Sequence, residues 1–384
     1  MQITAGFIPL LDAAMLVVAK EKGFAEAEGL DLQLVRESSW ANIRDRIAIG
    51  HFDAAHMLAP MAIAGSLGVG PLPVATVAPI ALGAGRNGIT VSEALWQRMS
   101  DVGADASLAA GPAVAHLAKA CREGSSDRKP VFGVVHPYSA HAYLLRYWLA
   151  EGGLLPDRDV QIDVVPPPFM PDALASGHLD GCCVGEPWNS VAMEQGAGRL
   201  VTTSDAIWHG SPDKLLGFRA DWADKHPAAV AKLVRALYAA GIWCDVPANR
   251  EELARLLALP DYLDTKAELL LPGLGAVRLN DVADLAPVGF VAGHGAFPWM
   301  SQCLWFLSQM ARWGQVELSA EAVEKAAATY RPDLFRTALE GVAGDIPASD
   351  RRIEGSDVAS RFFDGRIFDP TSIDAYLSAL PTLK

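Results

Sequence analysis

Strand-like and helix-like segments alternate along the first half of the chain, and this alternation constrains the fold more than any other feature of the sequence. Residues 3–8, 30–35 and 54–60 are predicted strands, and the helices between them have predicted caps at Asp12 and at Ser38 or Ser39. Strands separated by helices predict a parallel, doubly wound sheet. Ligands of such sheets bind outside the carboxyl ends of the strands.

The length of the chain and a restart of the alternation predict two lobes. A chain of 384 residues is too long for one compact core. We assign residues 1–85 and 206–384 to lobe 1, with helices at its C-terminal end, and residues 86–205 to a smaller lobe 2. Residues 83–88 match GxGxxG, but a short strand follows where a nucleotide-binding motif would open a helix. This segment is therefore a predicted crossover between lobes, and no cofactor is expected.

Composition and motifs exclude several classes of function. The formal net charge of −13 opposes a nucleic-acid-binding surface, which needs clustered lysine and arginine. No apolar run reaches the ~18–20 residues of a membrane span, and no export signal follows Met1, so we expect a cytoplasmic protein. The sequence has no GxSxG or HExxH motif, and an enzyme would have to bring His136, His141 and Cys183 together.

The turn LDGCCVGEPWN, residues 179–189, is the strongest local indication of a binding site. A strand over residues 182–184 stops at Gly185, and Pro187 is predicted to open a helix. The free N–H groups in the first turn of a helix favour anions. The indole of Trp188 in this turn needs a polar partner or a ligand. An ordinary strand-to-helix junction with a buried tryptophan is the alternative interpretation.

Several short strings resemble one family when they are taken in order. They include GFIPL near the start, then ESSWANIRD, GHFDAAHMLAPM, RYWLAEGG, VVPPPFM, DGCCVGEPWN and FRADW. Together they resemble the nitrate and bicarbonate binding-protein family of ABC importers, including its leaderless nitrate and nitrite sensors. The resemblance implies a type II periplasmic-binding-protein-like α/β fold, in which two doubly wound lobes with a ligand cleft close on a small anion. A helical C-terminal extension follows the lobes.

The resemblance also implies an anion pocket built from both lobes. By position, its ligand-binding residues are Trp40, Asn87, His141, Gly185, Trp188 and Lys214. Trp40 would be an apolar wall, and Asn87 would donate from its amide where the family more often has glutamine. His141 and Lys214 match side chains of the nitrate branch, whereas the bicarbonate branch has acidic residues and calcium near the lysine. These two side chains favour nitrate or nitrite. The acidic neighbours Asp213 and Glu186 could hold calcium, so bicarbonate stays an alternative ligand.

Two functions follow from this resemblance, and an enzyme is a third hypothesis from a different class. The first is a cytoplasmic nitrate and nitrite sensor that, like the leaderless members, would control an RNA-binding antiterminator of nitrate-assimilation genes. The acidic composition agrees with it, because the partner and not this chain would contact RNA. The second is the solute-binding component of a nitrate or bicarbonate ABC importer, and the third is an enzyme on the same superfold. We expect no direct contact with nucleic acid or membrane and no enzymatic activity.

Overall fold

The computed structural model describes residues 1–84, 87–123, 128–275 and 289–381, which form two five-stranded sheets. The first sheet contains β1 (Gln2–Phe7), β2 (Asp31–Arg36), β3 (Ala54–Leu58), β4 (Thr76–Ala81) and β10 (Lys214–Arg219). The second sheet contains β5 (Asn87–Ser92), β6 (Val131–Val134), β7 (Gln161–Val164), β8 (Gly181–Gly185) and β9 (Gly198–Thr203). The predicted α/β organisation is confirmed.

Both sheets are mixed, which corrects the prediction of a parallel sheet. The strand order is β2-β1-β3-β10-β4 in the first sheet and β7-β6-β8-β5-β9 in the second. β1 is parallel to β2 and β3, whereas β10 is antiparallel to both of its neighbours. β5 is likewise antiparallel to β8 and β9. The chain reaches β5 and β10 by crossing from the other sheet and not through a βαβ unit, the connection that makes neighbouring strands parallel.

Helices cover the sheets and fill the C-terminal region. The α-helices are α1 (Ala14–Glu21), α2 (Phe24–Ala27), α3 (Trp40–Ala48), α4 (Ala59–Ser66), α5 (Glu93–Asp101), α6 (Ala110–Glu123), α7 (Ala140–Glu151), α8 (Met170–Ala175), α9 (Trp188–Glu194), α10 (Ser204–Ile207), α11 (Ala220–Lys225), α12 (Pro227–Asp245), α13 (Arg250–Leu257), α14 (Met300–Arg312), α15 (Ala320–Thr329), α16 (Pro332–Leu339) and α17 (Ile373–Ser378). Short 3-10 helices span Leu11–Ala13, Pro167–Phe169, Pro247–Asn249, Ala267–Leu269, Ala292–His294 and Val358–Ser360. Within the described residues, no helix has both the length and the apolar character needed to cross a membrane.

Serine caps determine where two of the helices nearest the cleft begin. The hydroxyl of Ser39 accepts a hydrogen bond from the backbone N–H of Asn42 at 3.3 Å, and that of Ser139 accepts one from Ala142 at 3.0 Å. α3 and α7 therefore begin at Trp40 and Ala140. Asp12 was predicted to cap α1, but it lies inside the preceding 3-10 helix and makes no capping bond. Its carboxylate instead contacts Lys214 and His56.

The C-terminal region contacts both lobes. α14 packs against α4 of lobe 1 and against α7 of lobe 2. On the lobe 2 side, the Tyr143 hydroxyl donates to Gln315 Oε1 at 2.5 Å and the Tyr147 hydroxyl donates to Asp364 Oδ2 at 2.6 Å. One buried apolar cluster extends across both sheets and this region. The predicted boundaries, which assign these helices to lobe 1 alone, stay a prediction.

Candidate functional site

A buried lysine shared by two carboxylates lies at the centre of the candidate site. Lys214 is the first residue of β10, opposite Leu58 at the end of β3. Its side chain is fully buried. Nζ donates to Asp12 Oδ2 at 2.7 Å and to the adjacent carboxylate of Asp213. An ammonium group removed from water requires such partners, and here two anions share one cation.

Asp12 connects this lysine to aromatic side chains of lobe 1. His56 Nε2 lies 3.0 Å from Asp12 Oδ1, and His56 Nδ1 accepts the N–H of Ile8 at 3.4 Å. The rings of Trp40 and His56 meet edge to face at 5.2 Å. Lys214 Nζ lies 5.6 Å from the centroid of the Trp40 ring, within the range of a cation–π interaction. Trp40 is therefore beside the lysine, where the predicted wall of the pocket should be.

Lobe 2 supplies the opposite side of the site. His141, in the first turn of α7, is fully buried, and its Nδ1 lies 3.9 Å from Asp213 Oδ1. Asn87 begins β5, pairs with Gly185 at the end of β8, and faces the Asp213 carboxylate with its amide. A Cβ atom at Gly185 would lie 3.4 Å from Asn87 Oδ1 and 3.2 Å from Leu10 Cδ2. Glycine thus allows the two lobes to approach closely at this point.

Trp188 forms a hydrogen bond between the two lobes at the edge of the site. Its indole Nε1 donates to the backbone carbonyl of Pro9 at 3.1 Å, so the partner that its burial required is a protein group. The N–H of Leu11 donates to the carbonyl of Glu186 at 2.9 Å across the same boundary. Pro187 occupies the N-cap of α9, one position before its predicted place. The turn predicted from sequence therefore lies where lobe 2 meets lobe 1.

Buried polar atoms without a hydrogen-bond partner gather between these side chains. Within the part of the chain that the structure describes, they include Trp40 Nε1, the amide nitrogen and oxygen of Asn87, both ring nitrogens of His141, and Asp213 Oδ1. Buried polar atoms in folded proteins seldom stay unpaired. Because these donors lie beside Lys214 or its partner Asp213, the arrangement is suited to a small oxyanion that accepts hydrogen bonds from both lobes.

Burial sets the protonation of the charged groups. It lowers the pKa of His141 well below the ordinary value, and Lys214 lowers it further, so the imidazole is neutral. Burial also raises the pKa of Asp213, and Lys214 offsets only part of that rise. Burial alone would lower the pKa of Lys214, but Asp12 and Asp213 outweigh it and raise the pKa. For Asp12, Lys214 and His56 outweigh burial, and its pKa is well below the ordinary value.

Comparison with known proteins identifies the family of the chain. Residues 1–258 match the model of the NMT1-like family. The chain belongs to the NMT1-like family. It is 37% identical over 381 residues to the nitrate import ATP-binding protein NrtC of Synechocystis sp. (strain ATCC 27184 / PCC 6803 / Kazusa), a match that covers 97% of this chain and 54% of that protein. It is 36% identical over 382 residues to the bicarbonate transport ATP-binding protein CmpC of Synechococcus elongatus, covering 98% of this chain and 54% of that protein. The chain thus spans about half the length of these two relatives.

A solved structure supports the family assignment over the whole chain. The crystal structure of the periplasmic nitrate-binding protein NrtA from Synechocystis PCC 6803 matches with a TM-score of 0.88 at 30% identity. The match covers 99% of this chain and 98% of that one. The predicted periplasmic-binding-protein-like fold and the family resemblance drawn from short strings are both confirmed. Nitrate- and bicarbonate-related proteins are therefore the relatives of this member of the NMT1-like family.

The structure brings most of the predicted site residues together. Those that meet at the centre are Trp40, Asn87, His141, Gly185 and Lys214. Trp188 lies at the edge of the site, where its indole forms a hydrogen bond to the other lobe. Asp12 and His56 were missed as site residues, although a histidine inside the apolar strand AAHML and an aspartate after β1 were visible signals. That these residues bind a ligand stays a prediction.

A cavity of about 550 Å³ adjoins the site at Asn87, on the side where the chain crosses between sheets. The described part of the GxGxxG match lies along its wall at Gly83, Ala84 and Gly88. Gly85 and Arg86 of that match lie outside the described residues. Asn87 begins β5, so the match leads into a strand and not a helix. This placement agrees with a crossover and removes the basis for a dinucleotide motif.

The enzyme alternative requires His136, His141 and Cys183 to meet, and a metal site requires a cluster of ligand side chains. Burial raises the pKa of the Cys183 thiol well above its ordinary value, which opposes formation of a nucleophilic thiolate. His136 lines a separate cavity of about 260 Å³ together with Arg44 and Tyr138. Burial and Arg44 lower the pKa of His136 to about 4. Among the residues that the structure describes, no group of three or more His, Cys, Asp or Glu side chains could hold a metal ion.

Proposed function

We propose that this protein binds nitrate or nitrite between its lobes and serves as the solute-binding component of an ABC importer. The observation that carries the proposal is the set of buried donors on Trp40, Asn87 and His141 that have no partner among the described residues. Lys214 Nζ lies 5.6 Å from the centroid of the Trp40 ring, and His141 and Asn87 face the Asp213 carboxylate that pairs with this lysine. Nitrate is planar and monovalent, so N–H donors and one cation are sufficient to hold it. The nitrate-related names of NrtC and NrtA support this ligand class.

Bicarbonate is the alternative ligand. CmpC, which is named for bicarbonate transport, is nearly as similar to this chain as NrtC, so identity alone does not separate the two. Bicarbonate carries a hydroxyl group, and Asp213 Oδ1, which accepts no hydrogen bond within the described ranges, is an acceptor for it. We favour nitrate or nitrite because Lys214 and His141 occupy the positions that the resemblance assigns to the nitrate branch.

A sensing role is the second proposal. In it the protein is cytoplasmic, holds an RNA-binding antiterminator when it is empty, and releases it when the anion binds. The net charge of −13 supports this role, since the antiterminator and not this chain would contact RNA. The names of the relatives support the importer role better than this hypothesis, which the sequence had favoured. In both roles the protein binds its ligand without converting it, because nitrate held by donors and a cation needs no catalytic base.

Calorimetry on the purified, anion-free protein tests the ligand. We expect nitrate and nitrite to bind the native protein, and Lys214→Met to abolish binding. Lys225→Met is the matched control, because the Lys225 side chain is 71% exposed on α11 and should leave affinity unchanged. Binding of bicarbonate alone, with or without calcium, would refute the proposed ligand. Binding of none of these anions would refute the proposed function.

A second experiment separates transport from sensing. The protein is incubated with an RNA-binding antiterminator and then titrated with nitrate, while uptake is measured in vesicles that contain the cognate permease. Uptake that depends on this protein supports the importer role. A complex that nitrate dissociates supports the sensor, and equal retention of the antiterminator with and without nitrate ends that proposal. Reciprocal coupling requires the antiterminator to weaken nitrate binding by the same factor.

A further inference from the structure

The candidate pocket contains more carboxylate than an anion site needs. Lys214 is the shared partner of Asp12 and Asp213, so one cation faces two carboxylates. If both carboxylates are ionised, a bound nitrate or nitrite places a second excess negative charge in the same enclosed space. Like charges a few ångströms apart in a buried site repel strongly, and one of the groups then takes up a proton.

The two carboxylates are held differently, and the difference identifies the one that can change protonation. Asp12 has a cation at Oδ2, where Lys214 Nζ lies at 2.7 Å, and His56 Nε2 lies 3.0 Å from its Oδ1. Asp213 accepts from Lys214 through Oδ2, whereas its Oδ1 has no hydrogen-bond partner in the described part of the chain. This Oδ1 lies 3.9 Å from His141 Nδ1, among the donors of the pocket.

We propose that Asp213 makes this site bind its anion together with one proton, which Asp213 Oδ1 donates toward the ligand. The inference rests on the proposed function, because it requires an oxyanion in the pocket. The proton comes from solvent, and the complex gains one proton for each nitrate or nitrite bound. Lys214 and Asp12 then remain as a neutral ion pair, and the anion supplies the only excess charge among these groups. Asp213 thereby selects anions with an oxygen that accepts a hydrogen bond at this position.

The titratable groups around Asp213 are less suited than Asp213 to take up that proton. The titratable and charged groups that face it are Lys214 on β10, Asp12 before α1, His141 on α7, Cys183 on β8 and Tyr330 after α15, with His56 on β3 behind Asp12. Burial raises the pKa of the Cys183 thiol and of the Tyr330 hydroxyl, so both keep their protons. Burial lowers the pKa of His141, which opposes a charged imidazole. The rise in the pKa of Asp213 agrees with protonation of the carboxyl.

The linkage predicts how affinity depends on pH. In the open protein water reaches Asp213, so its pKa is lower there than in the closed complex, which holds it protonated. Between the two pKa values of Asp213, open and complexed, one proton is taken up with each anion. Affinity in that interval falls about tenfold for each unit of rising pH, because each unit reduces the protonated fraction tenfold.

Titration calorimetry in buffers of different ionisation enthalpy measures this proton directly. Nitrate is titrated into the anion-free native protein between about pH 6 and pH 9. We expect uptake close to one proton per anion over part of this range, with the Kd rising about tenfold per pH unit there. In Asp213→Asn, uptake should fall to near zero and the Kd should become independent of pH. Asp221→Asn is the matched control, because that exposed carboxylate on α11 pairs only with surface cations in the described structure.

Nitrate titrations of the native protein test the inference even if Asp213→Asn binds nitrate too weakly to measure. Nitrate binding with no proton uptake and no pH dependence overturns the inference and leaves the proposed function standing. Full proton uptake retained in Asp213→Asn also overturns it, because another group would then carry the proton. Absence of nitrate binding to the native protein at every pH refutes the proposed function itself. Thermal unfolding of each variant confirms that it is folded under the conditions of the titration.

Discussion

The indole N–H of Trp188 donates to the backbone carbonyl of Pro9 at 3.1 Å, and this bond joins the turn after β8 to the end of β1. The bond from the N–H of Leu11 to the carbonyl of Glu186, at 2.9 Å, crosses the same boundary. Both bonds require the lobes to be closed. A ligand enclosed between the lobes and these two bonds therefore favour the same conformation, and weakening the bonds should weaken ligand binding.

Trp188→Phe should reduce affinity for the anion about fivefold. Phenylalanine keeps most of the apolar ring but removes the indole donor, so the closed form loses about 1 kcal/mol of hydrogen bonding. Calorimetric titration with nitrate measures the change in Kd. The control is Trp222→Phe on α11, where the indole packs on two lobe 1 rings, Phe218 with ring centroids 5.6 Å apart and His226 at 4.6 Å. An unchanged Kd in Trp188→Phe would show that the bond to Pro9 does not stabilise the liganded form.

Lys214→Met should destabilise the protein by about 3–5 kcal/mol near neutral pH, because it leaves the buried carboxylate of Asp213 and the partly buried one of Asp12 without their cation. Chemical denaturation in anion-free buffer measures the free energy of unfolding. A triple variant, Lys214→Met with Asp12→Asn and Asp213→Asn, removes all three charges and should recover most of that loss without recovering anion binding. Equal instability in the single and the triple variant would assign the loss to packing and not to charge.

Asn87→Leu should weaken anion binding about tenfold with little change in the free energy of unfolding. The amide nitrogen and oxygen of Asn87 have no hydrogen-bond partner of good geometry among the described residues, so leucine removes only the polar contact between the amide and the Asp213 carboxylate from the ligand-free protein. Asn87→Gln retains the amide donor on a longer side chain and is the matched control. Nitrate calorimetry and thermal unfolding of both variants provide the measurements. A large stability loss in Asn87→Leu without loss of affinity would make this amide structural.

Asp213→Asn should gain stability relative to the native protein as the pH rises. The pKa of Asp213 is raised in the folded state by burial above its ordinary value of 3.8. Its contribution to stability is therefore full below that ordinary value and is lost as the pH rises through the folded-state pKa. Denaturation of the ligand-free proteins at a series of pH values measures the difference.

For the control variant, the expected change of stability with rising pH has the opposite sign. The hydrogen bond from Arg219 lowers the pKa of Asp221, so Asp221→Asn should lose a small amount of stability relative to the native protein as the pH rises. A constant difference between Asp213→Asn and the native protein across the series would contradict the raised pKa of Asp213.

Local sequence determined the segments of this protein and much of its candidate site. Apolar periodicity and serine caps located the strands and helices, including the helix that begins at Trp40 and the turn at Gly185, because such patterns act over a few residues. The resemblance added His141, Asn87 and Lys214 by position, and the structure places all three around the carboxylate of Asp213. These features depend on residues near in sequence or on strings that a family shares.

Only the tertiary structure decided the charge balance of the site and the way the lobes meet. Asp12 has the position of an ordinary helix cap, and its pairing with Lys214 and His56 depends on the placement of β10 antiparallel beside β3. Trp188 could have faced a ligand or a protein group, and closure of the lobes gave its indole the carbonyl of Pro9. Strand order and lobe closure join residues about 200 positions apart, because they arise from the packing of whole sheets. No short pattern in the sequence records such contacts.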